Sequence, residues 1–267
     1  LRGDAASYRR LASTYEALSR NEEQIEAIRN AIRLEPKNAD HKRALGIAYA
    51  KGNEAQAVEP LEDAVKLDPA LYELRAILAR IYVQRGEHTR AMTHLAYLSD
   101  AHEHTTETWR LLAETLVALD RHSDALGAAR KAADGAPNDI DAKRLRGSIA
   151  MHLKLYDEAA VAYEAVIKQE PDNIEALTAL GTCYQELKRP DRNVVILKML
   201  AKAAPLRPEA HYELGTNLLA KGDAAGAKDA LQKALELRPD LAKALLALAE
   251  AHDALKENAE RAAALER

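Results

Sequence analysis

The stretch EAHYELGTNLLAKGDAAGAKDALQKALELRP, Glu209 to Pro239, decides the fold. His211, Leu214, Gly215 and Leu218 recur at helical spacing and share one face of a first helix. Ala227, Leu231, Ala234 and Leu235 make the matching face of a second. Between them Gly222 supplies a helix stop and Asp223 a cap for the helix that follows. Pro239 closes the unit, because proline disfavours helical geometry in the residue before it. The stretch reads as a helical hairpin.

The hairpin repeats. Pro36, Pro69, Pro137, Pro171, Pro205 and Pro239 are separated by 33, 68, 34, 34 and 34 residues, and Glu103 stands where the missing proline would fall. Numbering each unit from its first residue, the eighth slot holds Ala12, Gly46, Ala79, Ala113, Gly147, Gly181 and Gly215, small enough for two helices to approach. The eleventh holds Tyr15, Tyr49, Tyr82, Leu116, Ala150, Tyr184 and Leu218, a large knob in most units. The units run 5–38, 39–71, 72–105, 106–139, 140–173, 174–207 and 208–241, the second one residue short at the Gly52 turn. Residues 242–267 read either as a capping helix or as a truncated eighth unit.

This pattern, with Leu-Gly-x-x-Tyr, a later small alanine, then Ala-Leu and proline, closely resembles the tetratricopeptide repeat over residues 5–241. The resemblance implies an all-α fold: an α-solenoid, a right-handed superhelix of antiparallel helix pairs, with seven units plus a C-terminal helix in a single domain over 1–267. Some units depart from the pattern. Arg146 takes a slot normally leucine, Asn193 one normally alanine, and Pro60 lies inside a second helix, where it removes a backbone donor.

Composition agrees with helix packing. Of the 267 residues 48% are hydrophobic but only 4% aromatic, and phenylalanine is absent. Residues 1–139 carry 19 basic and 22 acidic side chains, and residues 140–267 carry 19 and 20. Neither half offers the one-signed surface that nucleic acid or an anionic membrane attracts. No apolar run reaches the length of a membrane span, so direct membrane insertion is not expected. One cysteine, Cys183, excludes an internal disulfide framework and suits the cytoplasm, the periplasm being the alternative if an N-terminal signal has been removed. The chain opens at Leu1 in mid-helix character, which suggests a fragment of a longer protein.

No cofactor, metal or catalytic site is expected. His94, His102 and His104 match no ligand spacing and read as solvated loop residues. His122 and His252 read as surface or packing residues, and Cys183 as a buried, inert thiol. No phosphate-cradling glycine loop or nucleophile elbow occurs.

The resemblance directs attention to the first helices, which line a concave groove in this family. Its fifth slot carries Arg9, Arg43, Arg110 and Arg144, with Arg80 nearby, a ladder suited to carboxylates. Asp40, Glu107 and Asp141 lie three residues before three of these arginines, and such pairs also stabilise a lone helix. Ile47, Ile77, Val83, Leu111, Val117, Leu145 and Met151 fill groove slots between them. Together they imply an acidic, amphipathic peptide or helix as partner. The groove end of the last two repeats is polar, with Thr178, Thr182 and Glu213 among its residues. The carboxylate clamp and asparagine ladder of other family members are absent from the corresponding slots. On the opposite side, Val195 and Met199 of the apolar helix 190–202 are a candidate convex patch. The expected function is a non-enzymatic interaction scaffold or adaptor. The alternatives are a region of a larger transferase or cell-envelope secretion or assembly protein, and a scaffold that assembles as a homo-oligomer.

Overall fold

The computed structural model describes residues 3–102 and 104–266, all of it helix and connecting turn. Leu1, and Glu103 at the missing proline position, lie outside the described residues. Two compact units divide between Gly135 and Ala136. The first holds α1 (Ala5–Ala17), α2 (Asn21–Leu34), α3 (Ala39–Ala50), α4 (Glu54–Leu67), α5 (Tyr72–Gln84), α6 (His88–Asp100), α7 (Thr106–Ala118) and α8 (His122–Gly135). The second holds α9 (Ile140–His152), α10 (Tyr156–Ile167), α11 (Ile174–Glu186), α12 (Pro190–Ala203), α13 (Pro208–Ala220), α14 (Ala224–Leu237), α15 (Ala242–Ala254) and α16 (Asn258–Leu265). Consecutive helices pair as hairpins, and residues beyond Leu241 form one more hairpin, α15–α16.

Among the described residues, seven of the eight hairpin turns share a device. Ser19, Gly86, Asp120, Lys154, Lys188, Gly222 and Lys256 each take a positive φ there. That left-handed residue satisfies the end of the first helix and reverses the chain. Among the described residues the α3–α4 turn has none; it is as long as the other hairpin turns, and the residue missing from this repeat is missing from α3, which has 12 residues where the other first helices have 13. Side-chain caps start many of the helices: Asp4, Asn38, Asn53, Thr105, Asp139, Asn173 and Asp223 each accept a backbone N–H of the first turn. Pro60 sits inside α4, which remains continuous.

The eighth slot sets how closely the two helices of a hairpin approach. A Cβ at Gly46 would lie 2.5 Å from Leu61 Cγ, one at Gly215 2.5 Å from Leu231 Cγ, and one at Gly147 2.9 Å from Tyr163 Cε2. Gly181 is different: its nearest neighbour would be Asn193 Oδ1 at 3.5 Å, ordinary contact. The asparagine in the alanine slot has left room there.

The eleventh-slot tyrosines do more than fill space. Tyr49, Tyr82 and Tyr184 each reach back 20 residues to the second helix of the preceding repeat. Arg29 Nη2 donates to the Tyr49 hydroxyl at 2.6 Å, Tyr82 donates to Glu62 Oε1 at 2.8 Å, and Tyr184 donates to Glu164. Cations lie over the same rings, Arg29, Arg90 and Arg192 at 5.9, 5.5 and 5.8 Å from the centroids. Each such tyrosine couples one repeat to the one before it. Burial, with the Glu62 bond second, pushes the Tyr82 hydroxyl up to about 12.

Candidate functional site

In the first unit the first-helix face opens into a crevice of about 420 Å³ between α1 and α3. It gathers Arg9, Arg43 and Ile47 from the expected ladder and strip, with Ser13, Asp40, Gln24 and His41 around them. Arg9 is half-buried and has no ion-pair partner among the described residues. Arg43 Nε donates to Glu73 Oε1 at 2.6 Å, on the first helix of the next repeat. Arg110 donates to Glu114 at 2.9 Å. In the second unit Arg144 donates to Asp141 at 2.7 Å and also lies 3.6 Å from Glu175.

Of the expected local pairs, then, only Asp141–Arg144 forms; Arg43 turns instead to Glu73. Glu73 and Glu175 occupy the same second slot of the following repeat, so side-by-side packing of first helices supplies a carboxylate that local spacing does not show. The long arginine side chain spans the gap. These pairs are half-exposed, so they cost little to open.

The apolar positions divide. Ile47, Ile77, Val83 and Val117 are half-buried in the first unit, as are Leu145 and Met151 in the second. Leu111 is only 5% exposed and belongs to the packed interior, so it offers a partner little surface. Arg80 is half-buried, and its Nε has no hydrogen-bond partner among the described residues. On α12, Val195 is 57% exposed while Met199 is half-buried, and Val194, Ile196, Leu197 and Leu200 are in the core. The outward surface of this helix is therefore centred on Val195.

The histidines require correction. His94 is not a solvated loop residue: it is buried on α6, stacked on Tyr82 at 5.7 Å and 3.4 Å from Glu62. Burial lowers its pKa despite the carboxylate. His104 is half-buried, stacked on Trp109 at 3.9 Å and bonded to Ser99 and Thr108. His102 is exposed, at a positive φ. His122 lies 3.1 Å from Asp120, and buried His252 lies 2.6 Å from Glu257. Helical spacing did not show these partners because several come from neighbouring elements. Cys183 is fully buried against Met151, its Sγ donating to Sδ at 3.1 Å, and burial pushes the thiol up to about 11.

One residue escaped the sequence reading. Gln24 takes the alanine slot of the first repeat, as Asn193 does in the sixth, and it is 5% exposed. The 34-residue register alone identifies it as a departure.

Tetratricopeptide repeat family models match residues 9–72, 78–140 and 110–174, residues 150–214, and residues 208–241. The first of these by itself matches more than half the chain. Among solved structures, the chain is similar to YrrB, titled a TPR protein with an unusual peptide-binding site, at 20% identity and TM-score 0.53, covering 83% of this chain and 97% of that one. A tetratricopeptide repeat protein from Parabacteroides merdae ATCC 43184 aligns over 92% and 98% of the two chains, at 14% identity and TM-score 0.56. MamA from AMB-1 aligns over 60% and 88%, at 24% identity and TM-score 0.53. At these identities the likeness is one of fold. No curated protein matches the sequence significantly. Among the described residues no helix is long and apolar enough to cross a membrane.

Proposed function

We propose, because this chain belongs to the tetratricopeptide repeat family, that it is a non-enzymatic scaffold which binds an acidic, amphipathic peptide or helix on its first-helix faces. The observation that carries the reading is the α1–α3 crevice, where Arg9 stands without a carboxylate partner among the described residues, beside Arg43 and the half-buried Ile47. A guanidinium beside apolar surface suits a carboxylate next to an aliphatic side chain. Peptide binding in YrrB supports the general mode, though not the ligand.

The test is a fluorescence-anisotropy panel of labelled acidic amphipathic peptides, each with a charge-inverted counterpart. Acidic members are expected to bind with salt-sensitive affinity, and Arg9→Glu with Arg43→Glu to weaken binding at least about tenfold while circular dichroism stays helical. Equal binding of charge-inverted peptides, or unchanged affinity in the double variant, sinks the reading.

A second reading is favoured by Val161 and Val195. They hold the same slot of successive second helices, α10 and α12, and are 58% and 57% exposed. Such a stripe suits self-association of the scaffold. Sedimentation velocity over a concentration series, compared with Val195→Glu, tests it; a monomer at every concentration rules it out.

A further inference from the structure

We propose that the crevice between α6 and α8 is a second peptide site, which takes an extended segment with an apolar and an acidic residue two positions apart. It lies on the second-helix side, shares no residue with the α1–α3 crevice and goes beyond the groove reading.

Two crevices of the first unit occupy the same place in the repeat. One, of about 390 Å³, lies between α2 and α4 over α3; the other, of about 400 Å³, lies between α6 and α8 over α7. The repeat register makes their linings comparable residue by residue. Lys42 and Trp109 hold the fourth slot of their first helices, and Asp63 and Lys131 hold matching positions of the second. In the α2–α4 crevice Lys42 donates to Asp63, and the two charges cancel. In the α6–α8 crevice tryptophan replaces that lysine, and lysine replaces that aspartate. Lys131 is exposed and has no carboxylate partner among the described residues; its Nζ lies 4.0 Å from the Trp109 ring centroid. Arg121 and Asp124, the other charged residues of the lining, pair with each other. One positive charge is left uncompensated.

Trp109 adds a donor. His104 stacks 3.9 Å from the same ring centroid, and two groups that close cannot share a face, so both faces of the indole are taken. Its edge remains. The Nε1 of this half-buried residue has no hydrogen-bond partner among the described residues and keeps access to solvent. An N–H donor beside an unpaired ammonium suits a carboxylate. Half-buried Met92 and Gly127 supply apolar wall above Leu112. A Cβ at Gly127 would meet nothing within 4 Å, whereas at Gly46, Gly147 and Gly215 it would strike the partner helix. Glycine weakens a helix interior, and packing does not call for it here. Bare backbone facing open space suits a chain laid against α8.

Spacing selects the segment. Gly127 and Lys131 lie four residues apart on one face of α8, about 6 Å along its axis. In an extended chain, side chains two positions apart share a face and stand about 7 Å apart. An apolar side chain at Gly127 and Met92 therefore puts the carboxylate of the second residue beyond it at Lys131. A neighbouring residue would point away from the crevice. Asp124 receives both Arg121 bonds on Oδ2, which leaves Oδ1 to accept a backbone N–H of the segment. From Asp124 to Lys131 is about 10 Å. A helix of that length and about 10 Å across would fill roughly 800 Å³, about twice the crevice.

Trp109 is the chain's single tryptophan, so its indole N–H gives one nitrogen-15 signal that reports the site. The probes are acetylated tripeptide amides titrated onto the full chain: leucyl-seryl-glutamyl, its reversed sequence, the leucyl-seryl-glutaminyl analogue, and seryl-leucyl-glutamyl, in which the two residues are adjacent. At least one of the first two should shift the indole signal saturably with Kd of about 1 mM. The glutaminyl and adjacent probes should bind at least about fivefold more weakly. Lys131→Gln, at an exposed position, should erase the preference for glutamate over glutamine. Gly127→Leu places a better helix former in open space, so it should keep its thermal midpoint and lose the shift. Equal binding of the glutaminyl probe overturns the anion contact, and equal binding of the adjacent probe overturns the extended register. No saturable shift up to about 20 mM, or full binding by Gly127→Leu, overturns the site. Arg9→Glu with Arg43→Glu should leave these titrations unchanged, so this site and the groove reading fail separately.

Discussion

Replacing Gly215 and Gly181 by alanine, one at a time, separates what glycine contributes to helix approach from what it costs the helix. Both residues hold the eighth slot of a first helix, in successive hairpins of the second unit. In each, alanine gains about 1 kcal/mol of helix propensity. At Gly181 nothing opposes the gain, because the new Cβ meets Asn193 Oδ1 at 3.5 Å. At Gly215 the Cβ falls 2.5 Å from Leu231 Cγ and 3.3 Å from the Ala227 carbonyl oxygen, and Leu231 is fully buried. Forcing a methyl into a packed core costs about 1–3 kcal/mol. Gly181→Ala should therefore stabilise by about 1 kcal/mol, and Gly215→Ala should be neutral or destabilise by up to about 2 kcal/mol. Urea unfolding followed at 222 nm reads the difference as a displacement of midpoints; midpoints are the safer quantity in a repeat array, whose transition need not be two-state. Equal stabilisation by both substitutions would refute the argument that close approach fixes the glycine.

Tyr82→Phe deletes the bond to Glu62 and should destabilise by about 1–2 kcal/mol, read as a lower urea midpoint. Raised hydroxyl pKa values make folding alkali-sensitive. Tyr82 and Tyr163 stand at about 12 against an ordinary 10, so their contribution is complete below pH 10 and is lost as pH rises through 12. Phenylalanine at both should flatten that decline in a pH series of thermal midpoints. His94 works in the opposite direction: its pKa is lowered by burial, so its neutral form contributes above the ordinary 6.5 and is lost as pH falls below that value. His94→Gln should flatten the stability profile there, by at most about 1.4 kcal/mol per pH unit. Arg144→Ala should change stability by less than about 1 kcal/mol, because its partners are exposed, leaving the residue available for binding measurements.

The sequence by itself determined the hairpin, its period and the slots that pack. These follow from local rules: helical spacing on one face, a glycine or capping residue at the turn, and a proline at the exit. Repetition then tested each slot several times within one chain. The same register marked Asn193, and it held the information to mark Gln24. Tertiary structure decided what needs two helices at once. Arg43 bonds Glu73 and not Asp40, Tyr82 reaches Glu62, His94 stacks on Tyr82, and Leu111 turns inward. Side chains on a helix see neighbours three and four residues away through sequence alone, but a packed helix brings residues 20 or 30 positions distant to the same spot. Whether a polar atom there finds a partner depends on that packing, and among the described residues Gln24 Oε1 and His41 Nδ1 find none.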